Sequence, residues 1–223
     1  MIASLNCIAP PRWAEYASQL EAAGADALEV NAAILPTNPE EDSSKIEERY
    51  LRIVEKLAET LSIPFAVKIG PYFSSLPNFC SQIARRGARG LVLFNRFYQL
   101  DIDPERLCLA PGYRFSFPEE IYLPLRWIAI LSGRVGCDLA ASTGVHDSQG
   151  VIKLLLAGAS AVQVCSVLYL KQVQYIEKLK QGLEKWMKEH GFRSINDFRG
   201  KLRQQTAEDP EAYERLQYIK VLF

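Results

Sequence analysis

AAGADALEV at residues 22–30, RRGARGLVL at 85–93 and LAGASAVQV at 156–164 are one pattern written three times. Each passes from a helical stretch through a glycine (Gly24, Gly87, Gly158) and an alanine into a short apolar run. Glycine after a helix takes the left-handed backbone that stops the helix and turns the chain into the next element. Three helix–Gly-Ala–strand copies make a repeating βα unit the reading of this chain.

Working outward, six apolar runs recur: residues 2–6 (IASLN), 27–31 (ALEVN), 65–69 (FAVKI), 90–95 (GLVLFN), 137–142 (CDLAAS) and 161–166 (AVQVCS). They are continuous rather than alternating, which predicts parallel strands buried on both faces. Amphipathic stretches separate them, among them residues 13–24, 44–61 and 78–87. The options are an open doubly wound sheet and a closed barrel. Residues 169–191 predict one long helix ending near Gly191, and residues 193–202 and 209–223 short, mostly helical additions. No linker or boundary interrupts the pattern, so residues 1–223 are expected to form one domain.

The totals are those of an ordinary globular chain. Hydrophobic residues make up 48% and charged residues 23%, and 26 basic side chains balance 26 acidic ones. A net charge of zero gives no bulk attraction to nucleic acid or to an anionic membrane. At 223 residues the chain is slightly short for an eight-fold α/β barrel of about 250. Cys7, Cys80, Cys108, Cys137 and Cys165 are scattered and odd in number, which fits a reducing compartment. The first residues carry no basic region before an apolar stretch, and no apolar run approaches the roughly 20 residues of a membrane span. A cytoplasmic protein is expected.

In βα folds chemistry collects where strands end. The ends here are Asn6 with Cys7, Asn31, Lys68, Asn95 with Arg96, Ser142 to Gly144, and Cys165 with Ser166. Lys68 stands inside an apolar strand, where an unpaired ammonium is costly to bury. Facing inward it can hold the N1–O2 edge of a flavin, bind a carboxylate or form a Schiff base; facing outward it snorkels. The small residues Ser142-Thr143-Gly144 and Cys165-Ser166 follow the last two runs, with helices expected near Ser148 and Leu168. Such loops leave backbone N–H groups for a phosphate. Asp101 and Asp103 are read as turn and cap residues rather than a metal pair. His146 is a loop or capping residue and His190 a helix-end one; no metal site is expected.

The motifs at residues 25–31 (ADALEVN), 63–73 (IPFAVKIGPYF), 90–103 (GLVLFNRFYQLDID), 124–135 (PLRWIAILSGRV), 143–168 and 195–202 (INDFRGKL) resemble the dihydroorotate dehydrogenase family, with the 209–222 tail most like its bacterial dihydroorotate dehydrogenase-like branch. The resemblance runs along essentially the whole chain. It implies a TIM (β/α)8-type barrel, here with about six parallel strands and a long C-terminal helix. It also implies FMN as cofactor, hydride transfer from a dihydropyrimidine-like substrate as in pyrimidine biosynthesis, and a possible homodimer. Carried over, Lys68 lies near the flavin's N1–O2 edge, and Asn31 lines the flavin site. Thr143, Gly144, Cys165 and Ser166 hold the FMN phosphate through backbone amides, and Asn95 with Arg96 serves the substrate side.

Two departures qualify that picture. Ile34 occupies the place of the family's catalytic cysteine, and isoleucine cannot accept a proton. The chain also begins at what corresponds to the family's third strand. The expectation is either a start assigned inside a longer protein or a fragment that pairs with another chain. The alternative to a flavin oxidoreductase is an inactive barrel remnant acting as a binding or assembly module.

Overall fold

A computed structural model describes residues 1–6, 12–112 and 115–215 of the chain. Cys7 and the last eight residues of the tail, both read above, lie outside the described residues. Six parallel strands form one sheet in the order β1 (Ile2–Leu5), β2 (Ala27–Asn31), β3 (Phe65–Ile69), β4 (Gly90–Leu93), β7 (Asp138–Ala141) and β8 (Ala161–Val162). Between the fourth and fifth of these lies a separate antiparallel hairpin, β5 (Leu100–Asp103) and β6 (Cys108–Pro111). The sheet curls into an open half-barrel, the α/β barrel type that the resemblance implies and one of the two options the repeat leaves open.

Helices α1 (Arg12–Ala22), α2 (Ser43–Thr60), α3 (Leu76–Arg85), α4 (Tyr122–Leu131) and α5 (Ser148–Ala157) cover its outer face. On α2, Ile46, Tyr50, Ile53, Val54 and Leu57 are buried, a helical spacing that puts one stripe against the sheet. Facing them are Leu28 and Val30, Val67 and Ile69, and Leu91 and Leu93, none more than 1% exposed. Full burial of each such side chain contributes about 1.5–3 kcal/mol. Gly24, Gly87 and Gly158 all have left-handed backbone (φ 92°, 111° and 116°), as the repeated pattern requires.

Burial on both faces does not hold. Residues on the concave face, among them Glu29, Asn31, Ala66 and Lys68, are only half-buried. Register explains the difference, since Glu29 pairs with Ala66 and Asn31 with Lys68, so one polar or small set lines a single face. The apolar partners on either side of each residue belong to the helix-covered face. Polar side chains therefore stand in the interior of the curl, which is where a site can be built.

Two further expectations are corrected. The last run, residues 161–166, makes a strand only over Ala161–Val162, because Gln163 donates the final sheet bond to Ala141 and Ser166 already opens a helix. The single long helix at 169–191 is two, α6 (Ser166–Lys171) and α7 (Tyr175–Glu189), broken at Gln172 with φ 68°. The break lets α7 cross α5 so closely that a Cβ added to Gly182 would lie 2.5 Å from that of Ser148. The additions after it are short helical turns of the 3-10 type, over Ile195–Asp197, Gln204–Thr206 and Pro210–Glu214. Among the described residues no helix is long and apolar enough to cross a membrane.

Candidate functional site

The ends of four strands and one loop enclose a cleft of about 520 Å³ at the C-terminal mouth of the half-barrel. Lys68, Asn95, Arg96, Thr143, Gly144, Cys165 and Ser166 line it, together with Ser116 and Gln163. A staircase of backbone bonds sets their positions. The Asn95 amide donates to Ile69 at 2.8 Å, Ser142 to Leu93 at 2.7 Å and Gln163 to Ala141 at 2.8 Å, so each loop leaves the sheet at a fixed height. Asn31 stands one bond behind the cleft, its Oδ1 accepting from Asn95 Nδ2 at 2.9 Å.

Lys68 is held from two sides. Its Nζ donates to Glu29 Oε1 and to Gln163 Oε1, each at 3.2 Å, and Gln163 Nε2 donates to the other Glu29 oxygen. The inward alternative among the readings of this lysine is the one realised; its side chain is 18% exposed. Arg96 makes a two-pronged pair with Glu120, through Nε at 2.8 Å and an Nη at 3.3 Å. Burial alone would raise the Glu120 carboxyl, but hydrogen bonds from Arg96 and the Phe117 amide, with the nearby charges of Arg96 and His146, hold it below the usual carboxylate range.

At the other end of the cleft, Thr143 and Gly144 are both left-handed, with φ 84° and 77°. The amides of Gly144, Cys165 and Ser166 have no acceptor among the described residues, whereas the first turn of α5 is capped by Asp147, which accepts from Gly150 at 2.8 Å. The donors for an anion are thus in the loops rather than at that helix end. A Cβ added to Gly144 would lie 2.2 Å from the Ile121 amide nitrogen, so the loop packs directly on neighbouring backbone. Free amides plus one held cation are a donor set that suits an anionic ligand carrying a phosphate.

Ile34 is elsewhere. Its amide donates to the Tyr50 hydroxyl at 2.9 Å, and with Asn6, Trp13 and Leu35 it lines a separate cleft of about 650 Å³. Burial pushes the Tyr50 phenol up, and that hydroxyl is occupied as an acceptor. His146 meets Ser116 Oγ through Nε2 at 3.1 Å, and His190 stacks on Trp186 and bonds its carbonyl, a helix-end role. Asp103 accepts from the Glu105 and Arg106 amides, making the turn of the hairpin. Among the described residues no group of three His, Cys, Asp or Glu side chains is placed to hold a metal.

Sequence reasoning passed over Glu29, Gln163, Ser116 and Glu120. The first two carry the signal that exposed Lys68, a polar side chain within an apolar strand run. Ser116 and Glu120 sit in the long connection after the hairpin, where no periodicity marks them.

No protein-family model matches the chain. A protein of Aeropyrum pernix named putative dihydroorotate dehydrogenase A (fumarate) is 29% identical over 208 residues, 90% of this chain and 66% of the relative. The catalytic subunits named dihydroorotate dehydrogenase B (NAD(+)) of Pyrococcus furiosus and Methanothermobacter thermautotrophicus are 26% and 25% identical, over 86% and 90% of this chain. The chain is thus similar to proteins named dihydroorotate dehydrogenase along most of its length. It spans about two thirds of the length of the curated relatives it matches, 66% and 65% of the first two.

Proposed function

We propose that this chain binds FMN in the mouth cleft and belongs to an oxidoreductase acting on a dihydropyrimidine-like substrate. The observation that carries the reading is the convergence of Lys68, Asn95, Arg96, Thr143, Gly144, Cys165 and Ser166 on one cleft. The loop amides of Gly144, Cys165 and Ser166 take the phosphate, where dispersed N–H donors spread its charge without a side-chain cation. Lys68 reaches the N1–O2 edge of the ring. Asn31 and Asn95, bonded to each other, present amide groups to the ring and the substrate, and Arg96, oriented by Glu120, closes the substrate side.

FMN, when bound, supplies the hydride acceptor. The chain's own residues bind, orient and screen. Ile34 lies outside the cleft and offers no proton acceptor, so a proton from substrate carbon has to be taken by a group other than the one at this position.

The test is the visible spectrum of the purified protein, followed by titration of FMN into the apoprotein. A yellow protein with flavin bands, or saturable quenching of FMN fluorescence that Lys68→Met weakens about tenfold or more, supports the reading. A colourless protein that stays apo in excess FMN overturns it and favours the binding-module alternative.

A further inference from the structure

We propose that Glu29 and Gln163 form a clamp that fixes Lys68 with one N–H free and its charge shared, and so set how strongly the cleft favours a reduced over an oxidised ring. This rests on the flavin reading above. Three bonds close a ring: Lys68 to Glu29, Lys68 to Gln163, and Gln163 to Glu29. An ammonium has three donors, and the clamp uses two. The third is the one left for a ligand in the cleft that Lys68 lines. Gln163 cannot turn over without losing both contacts, since its carbonyl accepts from the lysine while its amide nitrogen donates to the carboxylate.

Charge gives the clamp its consequence. Lys68 and Glu29 are 18% and 13% exposed, so water screens the pair weakly. Two-electron, one-proton reduction of a flavin leaves negative charge at N1–O2. A lone ammonium there favours that form strongly, and an ammonium shared with a carboxylate favours it less. Glu29 acts through Lys68 and is a positioning residue.

The experiment measures the midpoint potential and the dissociation constant of FMN in wild type, Glu29→Gln and Lys68→Met, with folding checked by circular dichroism. Glu29→Gln is expected to raise the potential and Lys68→Met to lower it, although both break the same ring. A purely structural role moves the two in the same direction or moves neither. If Glu29→Gln fails to fold, Glu29→Asp keeps the charge but withdraws it by one methylene, and a smaller rise is expected. FMN-loaded variants whose potentials are unchanged, or shift together, overturn the clamp and leave the flavin reading standing. A wild-type protein that takes up no FMN overturns both.

Discussion

Gln163 donates a hydrogen bond to Glu29 across the hollow of the sheet, although four inter-strand steps separate their strands. In a flat sheet those strands would lie about 19 Å apart, beyond the reach of two such side chains. The contact is therefore a direct reading of the curl. It also joins residues 134 positions apart in sequence, and through Lys68 it ties β2, β3 and the end of β8 into one polar cluster. The curl and the cluster depend on each other: without curvature there is no ring, and without the ring three polar groups face a half-buried hollow unpaired.

Gly144 tests the phosphate end of the cleft. Its φ of 77° disfavours any side chain, and an added Cβ would meet the Ile121 nitrogen at 2.2 Å and the Glu120 carbonyl carbon at 2.7 Å. Backbone cannot yield as a flexible side chain does. Gly144→Ala is expected to cost about 3 kcal/mol of stability, measured by urea unfolding, and to weaken FMN uptake more than it lowers the melting temperature would explain.

The cysteines separate by reactivity. Burial pushes the Cys80 thiol up to about 12, with a further contribution from the neighbouring Cys137, and burial with the Asp138 charge pushes Cys137 up to about 11. Cys108 and Cys165 are exposed. Iodoacetamide at pH 8 followed by peptide mapping should mark Cys108 and Cys165 in the native protein, and Cys80 and Cys137 only after denaturation. Added FMN should slow the reaction at Cys165, which lines the cleft, and leave Cys108 on the hairpin unchanged. Equal protection of both, or of neither, contradicts the assignment of the cleft.

Glu120 gives a pH dependence with a defined sign. Its carboxyl is held below the ordinary 4.5 against the upward pull of burial, chiefly by Arg96 and the Phe117 amide. A depressed carboxyl contributes stability that is present above its unfolded value and is lost as pH falls through its folded value. Glu120→Gln should melt below wild type at pH 7, and the gap should close on acidification below 4.5. A gap that persists in acid would show that the ion pair with Arg96 is not its source.

The sequence by itself determined the βα repeat, the six strand positions to within a few residues, the three left-handed glycines and the oddity of a lysine inside an apolar run. These are local properties: a period, a backbone requirement at Gly24, Gly87 and Gly158, and a polar side chain among apolar neighbours. Tertiary structure alone decided which face of each strand is covered, and hence that Glu29 and Gln163 meet Lys68 while Ile34 turns to Tyr50. It also decided the hairpin at residues 100–111 and the break at Gln172, where the crossing of α7 over α5 overrides a helical pattern that runs on through both. The reason is physical. Periodicity fixes which residues share a face, but the curvature of the sheet fixes which faces look at one another, and that is settled by contacts between residues far apart in the chain.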